Sequence, residues 1–293
     1  MGISKLPSVI TMPKTDKPFP SILDFLSGKF PRISREIWQR RISEGKVHDE
    51  NGQPITADSG YAPLKRIFYF REVVSEPVIP FAEKILFMDD EILVACKPHF
   101  LPVTPGGRYV DECLQSRLRA STGNEELAPL HRIDRETAGL VLFSVNRKSS
   151  GIYGRIFRDG QVEKSYQAIA ACRPLQGKTE WVVENRLEPG EPWFRMKTVA
   201  GRTNARSAIS LVETRGELAR FNLMPLTGKT HQLRVHMSDL GFGILNDRFY
   251  PELRAEGEDD FDAPLQLVAK KLRFRDPLSG RIREFESERG LLW

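Results

Sequence analysis

The chain has 293 residues, 40% of them hydrophobic, with a formal net charge of +5 and a sequence pI near 9.1. That is enough apolar material for one large core or two smaller ones, and the mild basic excess fits nucleic acid without demanding it. Three scattered cysteines (Cys96, Cys113, Cys172) exclude a disulfide framework or zinc ribbon; with no leader peptide and no membrane-length apolar run, a reducing cytoplasm and no membrane contact are expected.

Residues 1–18, punctuated by Pro7, Pro13 and Pro18, predict an irregular arm. Ile22, Leu23, Leu26 and Phe30 then recur at helical spacing, and Pro31 ends that helix. Ser34 can cap a second helix with a buried stripe of Ile37, Trp38 and Ile42, closed by Gly45. Val47–Asp49 and Arg66–Arg71 read as short strands, with a turn at Asn51-Gly52. Lys29, Arg32, Arg35, Arg40, Arg41 and Lys46 outnumber Glu36 and Glu44 here. Two readings stay open: solvated helix faces, or a surface that holds phosphates. In length, element order and basic helices, residues 19–76 resemble the ribosomal protein S4-type RNA-binding domain.

Pro77 and Pro80 mark a linker into a second domain, residues 77–293. Ile85–Cys96 reads as two strands around an acidic turn, the second ended by Lys97-Pro98. Pro102, Pro105, Gly106 and Gly107 make a loop before a helix over Val110–Arg119. A buried strand at Leu140–Val145, a helix at Lys148–Phe157 and alternating strands at Ser165–Cys172 and Leu218–Pro225 follow. His231–Leu240 predicts a helix with Leu233, Met237 and Leu240 inward, and Glu256–Asp262 reads as a solvated acidic insertion. Strands joined by turns or single helices point to an α+β fold with largely antiparallel sheet rather than a parallel βαβ fold.

Several chemical motifs fail on inspection. Gly228-Lys229-Thr230 matches the end of a P-loop, but Leu223 stands where the first glycine is required, so no nucleotide triphosphate is expected. His231 and His236 are five apart, whereas a helical metal pair needs four and an intervening glutamate. No Gly-x-Ser-x-Gly elbow is present. What remains is a carboxylate among cations, Asp134 in His131-Arg132-Ile133-Asp134-Arg135, together with Tyr166 and Arg234.

His131-Arg-Ile-Asp134 followed by Thr137-Ala-Gly-Leu140 resembles the signature of the RluA-type pseudouridine synthases. Three further segments match in order: Val94-Ala-Cys-Lys97-Pro98, Lys164-Ser-Tyr166-Gln-Ala168, and Leu226-Thr-Gly-Lys-Thr-His-Gln-Leu-Arg234-Val-His236 running on to Gly243–Asp247. The resemblance spans Phe81 to the C-terminus. It implies the pseudouridine synthase fold, a mixed, largely antiparallel sheet with flanking helices and a central cleft. It also implies isomerisation of a specific uridine in structured RNA, rRNA or tRNA, with no cofactor; a monomer is expected. Lys229 in place of the usual arginine, Val268 where histidine is common and Asn246 where glycine is frequent bear on target choice.

Under that resemblance Asp134 is the nucleophile or base, and attack on the ribose anomeric carbon or removal of a ribose proton both suit a carboxylate. A carboxylate in a partly dry pocket tends to take up a proton, so a fixed cation is needed, and Arg234 is expected to clamp Asp134 bidentately. Tyr166 is expected to stack on the target base and to help late proton removal. Contacts to RNA are expected from Arg132, Arg135, Lys164, Lys229, Thr230, His231 and Gln232, and from Arg35, Arg40 and Arg41 in the N-terminal domain. His131 and His236 are assigned structural hydrogen bonds. Two competing readings are a non-catalytic RNA-binding protein on the same scaffold and a metal-dependent hydrolase using the histidines.

Overall fold

Ser21 and Ser34 start the first two helices: their hydroxyls accept from Asp24 N (3.0 Å) and Ile37 N (3.4 Å), satisfying donors that a helix start leaves open. The computed structural model describes residues 2–3, 7–31, 33–73, 75–172, 177–254 and 257–292. Two compact units divide the chain: Met1–Pro77 with Gly107–Asp111, and Val78–Gly106 with Glu112–Trp293.

The N-terminal unit runs β1 (Gly2–Ile3), β2 (Ser8–Thr11), α1 (Ile22–Lys29), α2 (Arg35–Ser43), β3 (Val47–Asp49), β4 (Arg66–Tyr69) and β5 (Glu72–Val73). Phe25, Leu26, Trp38 and Ile42 from the helices pack with Val47, Ile67 and Tyr69 from the sheet. The N-terminal arm, expected to be irregular, is in part regular. Ser8–Thr11 pairs antiparallel with β4, from Ser8↔Tyr69 to Thr11↔Arg66, and Met12 is buried. A four-residue strand carries too little periodicity to be read alone; its partner lies far along the chain.

The basic face is also revised. Arg41 is 5% exposed, donates from Nε to Glu72 Oε2 (3.2 Å) and from Nη2 to Glu72 O (3.3 Å), and lies 5.1 Å over the Trp38 ring. Lys46 binds the other oxygen of the same carboxylate. Arg41 is three residues from Trp38 and adjacent to Ile42, so it falls on the packing face, which a count of charges does not reveal. Arg35 pairs with Asp24, Arg40 is exposed, and Arg32 lies outside the described residues.

The second unit contains β6 (Lys84–Met88), β7 (Ile92–Lys97), α3 (Leu114–Thr122), β8 (Ala128–Pro129), β9 (Ala138–Ser144), α4 (Arg147–Arg158), β10 (Val162–Ala171) and β11 (Glu180–Pro189). It continues through β12 (Met196–Val199), β13 (Ala205–Arg215), β14 (Leu218–Pro225), α5 (Gln232–Asp239), β15 (Leu267–Arg275) and β16 (Ile282–Glu286). Among the described residues, eleven strands form one sheet, ordered β12-β11-β13-β14-β10-β15-β9-β7-β6, with β16 on β15 and β8 on β9. Every pairing in it is antiparallel except β15 with β9. The architecture is the α+β, largely antiparallel fold expected. Its core gathers Ala168, Phe221, Leu223 and Leu267 from the strands with Leu233 and Met237 from α5.

Three details differ from expectation. Helix α3 begins at Leu114 rather than Val110, because Cys113 takes the cap position and Gly123, at φ +69°, ends it. Helix α5 is buried from Gln232 to Met237 on all sides, while Leu240 is only partly covered. The described part of the acidic loop, residues 257–262, is solvated only in part: Glu258, Asp260 and Asp262 are exposed, but Asp259 holds Arg135, and Phe261 packs edge-on against Phe81 and Phe100. Among the described residues no helix is long and apolar enough to cross a membrane.

One glycine fixes the geometry around the aspartate. Gly139 has φ +115°, and a Cβ there would lie 2.2 Å from Ala269 O. Only glycine lets β9 approach β15 so closely. Ala269 pairs with both Gly139 and Tyr166, so this contact registers the segment carrying Asp134 against the strand carrying Tyr166.

Candidate active site

Asp134 lies in the connection that enters β9, and its neighbours are pinned from the end of β7. Lys97 is fully buried, and its Nζ donates to Pro98 O (2.9 Å), Leu101 O (2.6 Å) and Arg135 O (3.0 Å). Burial pulls this lysine down to about 7, against the opposing pull of Glu136 and Asp134. His99 Nδ1 meets Glu136 O at 2.6 Å; since a carbonyl only accepts, Nδ1 carries the hydrogen. The two carbonyls after Asp134 are therefore both tied to the Lys97–His99 segment. His131 Nε2 accepts from Leu142 N (3.1 Å), and its ring stacks on Phe157. Burial pushes His131 down to about 3, which keeps it neutral and able to accept.

Arg234 reaches the aspartate from α5 and is 1% exposed. Its bidentate partner is not Asp134, as expected, but Asp247. Nε and Nη2 donate to the Asp247 oxygens at 2.8 and 2.6 Å, and Asp247 Oδ1 also accepts from Phe249 N (2.8 Å) and Tyr250 N (3.1 Å). Nη1 is left to face Asp134 Oδ2 at 3.4 Å and Glu136 at 3.6 Å. The guanidinium also lies over the rings of Phe249 (4.8 Å) and Tyr250 (5.6 Å). Desolvation works against the charge, but the bonds to Asp247 and the charges of Asp247, Asp134 and Glu136 outweigh it, holding the Arg234 pKa above its ordinary value. Burial would raise Glu136, yet Arg135 and Arg234 keep it below the usual carboxylate range.

Around this pair opens a cleft of about 640 Å³ lined by Asp134, Tyr166, Arg132, Lys164, Lys229, Thr230, His231 and Arg234. The Asp134 side chain is 24% exposed there. Burial, reinforced by the Asp134 charge, raises the Tyr166 hydroxyl, and burial lowers Lys164. His231 starts α5 in a left-handed conformation (φ 52°); its Nδ1 meets Tyr250 Oη at 3.0 Å, and its Nε2 stands 4.0 Å from Asp134 Oδ1. Arg132, Lys229 and Thr230 are exposed at the rim.

Gln232 and Arg135, both expected to contact RNA, line the cleft and are also held by partners within the protein. Gln232 is buried: it accepts from Thr227 Oγ1 and Lys229 N and donates to Arg206 O and Ser207 Oγ, which fixes the loop before α5. Arg135 gives two N–H groups to Asp259, both at 2.8 Å, and bonds Glu136. His236 Nε2 meets Asn185 Oδ1 at 3.0 Å. Asp247, Lys97, His99, Glu136, Phe249 and Tyr250 were not assigned from sequence. Lys97 and Asp247 close two of the recognised motifs, and that was the available signal. Among the described residues no three His, Cys, Asp or Glu side chains converge to hold a metal.

Chemically, the site presents one carboxylate to a cleft beside a cation that another carboxylate already largely neutralises. A single long contact from Arg234 aims Asp134 without quenching it as a full fork would.

The family model described as RNA pseudouridylate synthase matches residues 91–239. A dual-specificity RNA pseudouridine synthase RluA from Pasteurella multocida is 32% identical, over 69% of this chain and 91% of the relative. An uncharacterized RNA pseudouridine synthase from Synechocystis is 27% identical over 78% of this chain and 79% of the relative. The yeast mitochondrial tRNA pseudouridine(32) synthase is 30% identical over 82% of this chain and 54% of that protein. In fold, the chain is similar to human RNA pseudouridylate synthase domain containing 1, with TM-score 0.59, 22% identity, and 73% of this chain and 86% of that one covered.

Proposed function

The chain belongs to the RNA pseudouridylate synthase family, and from that premise we propose that Asp134 opens the isomerisation, with Arg234 and Tyr166 as its partners. The enzyme is an RNA pseudouridine synthase, an isomerase acting on uridine in RNA. The bond between uracil N1 and ribose C1′ breaks, a bond from C5 to C1′ forms, and the hydrogen on C5 is replaced by one on N1, so atoms balance without a co-reactant. Asp134 acts at the ribose, on C1′ or on a ribose proton. Arg234 holds it ionised, and Tyr166 meets the displaced base and relays the proton from C5.

The observation that carries this reading is Asp134 itself: a carboxylate open to the cleft and touched from behind by one N–H of a buried arginine. The target nucleotide must leave its stack to reach it, which costs a few kcal/mol. Exposed Arg132, Lys229 and Thr230 at the rim, with Lys164 inside, supply groups for the flipped nucleotide and its phosphates. Relatives are named for tRNA and for the large ribosomal subunit, so a structured tRNA or rRNA is the proposed substrate. We further assign residues 19–76 to an S4-like RNA-binding domain with Arg35 and Arg40 on its contact surface, and place a monomeric, cofactor-free enzyme in the cytoplasm. The two capped helices against a small sheet, with Arg40 exposed, support that assignment.

The test is Asp134→Asn assayed on tRNA and rRNA from cells lacking the protein. Pseudouridine formation falls by about 10³-fold or more, while thermal melting and RNA affinity stay near wild type. An unchanged rate would refute the assignment.

A further inference from the structure

We propose that Trp193 is a stacking platform for an unpaired nucleotide flanking the target uridine; this rests on reading the chain as an RNA pseudouridine synthase. Among the described residues, Trp193 is the only Phe, Tyr or Trp that is mostly exposed, at 72%. Its large flat face is open to a base that stacks on it.

The tip that presents it, residues 190–195 between β11 and β12, is braced. Gly190 N donates to Arg195 O (2.8 Å) and Arg195 N to Pro192 O (2.9 Å). The Arg195 Nη2 donates to Pro251 O (2.9 Å), its guanidinium lies 5.0 Å over Tyr250, and Met196 N donates to Tyr250 Oη (2.7 Å). A ring held this way gives up little conformational freedom on stacking.

Ring contacts tie the tip to the reacting carboxylate. Trp193 meets Phe194 edge-on at 5.9 Å, Phe194 lies 5.2 Å from Phe249, and Phe249 carries the Arg234 guanidinium at 4.8 Å. Arg234 in turn faces Asp134. The second brace, Tyr250, contacts His231, whose Nε2 is 4.0 Å from the same aspartate. Both supports of the tip end on residues beside Asp134, so the indole sits in a defined relation to the reaction.

On the same hairpin Lys197 in β12, opposite Glu188, and Arg202 beyond it are exposed, as is Glu191 at the tip; Glu188 is already paired with Arg186, so the cations remain in excess. A flipped uridine leaves its neighbours unstacked, and an aromatic face accepts any base. A protein partner or a second copy of this chain would need a broad apolar patch, whereas a single indole on a hairpin with an excess of cations suits a single-stranded nucleotide.

The experiment compares Trp193→Ala and Trp193→Phe in the full chain on tRNA and rRNA from cells lacking the protein. Trp193→Ala lowers kcat/KM about 10-fold or more through KM and nearly keeps kcat; Trp193→Phe restores most of the loss. Thermal melting is unchanged in both. The same RNA quenches the intrinsic fluorescence of the wild type, and less so that of Trp193→Phe. Wild-type kcat/KM in Trp193→Ala would overturn the proposal, as would a fall in kcat alone or a self-association lost in Trp193→Ala with kinetics intact. If the wild type forms no pseudouridine, the activity reading fails instead, and the quenching titration decides Trp193 by itself.

Discussion

Two buried arginines, Arg41 in the N-terminal unit and Arg234 in the second, show how one side chain serves opposite ends. Both are at most 5% exposed, both lie over aromatic rings and both bind a buried carboxylate. Arg41 gives Nε to the Glu72 carboxylate and Nη2 to the Glu72 main-chain carbonyl, and Lys46 binds the second carboxylate oxygen, so both oxygens of that carboxylate are taken. Arg234 commits Nε and Nη2 to Asp247 and keeps Nη1 for Asp134, which opens on the cleft. Burial and charge are shared between the two constellations. A donor remaining after the structural pair is satisfied, and aimed at a solvent-reached carboxylate, distinguishes the candidate active site.

Asp247→Ala strains this contrast most. It leaves Arg234 buried without its main counter-ion, so it should destabilise the second unit by about 3–5 kcal/mol in urea titrations. Arg234 is then free to turn its fork onto Asp134, and activity should drop with stability. Next comes Arg234→Lys, which keeps a charge but loses the fork that holds Asp247 and Asp134 together. Single-turnover rates should fall roughly 10- to 100-fold, about 1.4–2.7 kcal/mol in the barrier; a variant as fast as wild type would show that only the charge matters.

Glu72→Ala is the matching change in the other unit. It uncovers Arg41, but Lys46 is partly exposed and rehydrates, so about 2–3 kcal/mol is expected. Its kcat on a short RNA hairpin should equal that of the wild type, and an equal loss of kcat would erase the distinction between the two arginines.

A last test concerns pH. Burial holds His131 at about 3 and His99 and His236 at about 4, all in the second unit and all below their ordinary value of 6.5. Their folded pKa values lie below the unfolded ones, so the unfolded chain binds more protons as pH falls from 6.5 toward 4. Stability is present above 6.5 and lost on that descent, at up to about 1.4 kcal/mol per pH unit for each histidine. Urea midpoints at pH 7.5 and 5.0 measure the slope, and His131→Gln should flatten it; a midpoint independent of pH would contradict the neutral, accepting role of His131.

Much of the fold was readable where local chemistry suffices. Serine caps, Pro31 and helical spacing located α1 and α2, and apolar runs located β7, β9, β10 and β14. Strands β11, β12, β13, β15 and β16 were not recognised, although in β15 exposed Arg273 alternates with buried Leu272 and Phe274 as a half-buried strand requires. The site was legible at Asp134, Tyr166 and Arg234 through motif resemblance. The partners that hold Arg41, Arg135 and Gln232 were not legible, because Glu72, Asp259 and Arg206 are 31, 124 and 26 residues away.

Sequence by itself determined the α+β class, the starts of α1 and α2 and the four ordered motifs, since each depends on residues close together in the chain or on their order. Tertiary structure alone decided which cation serves which anion. Salt-bridge choice depends on distances of a few ångströms between segments far apart in sequence, and these are set by the close approach of Gly139 to Ala269 and by the packing of α5. That is why Arg234 could be named from its motif, while Asp247 as its main partner, and Asp134 as the recipient of its one remaining donor, emerged only from the folded chain.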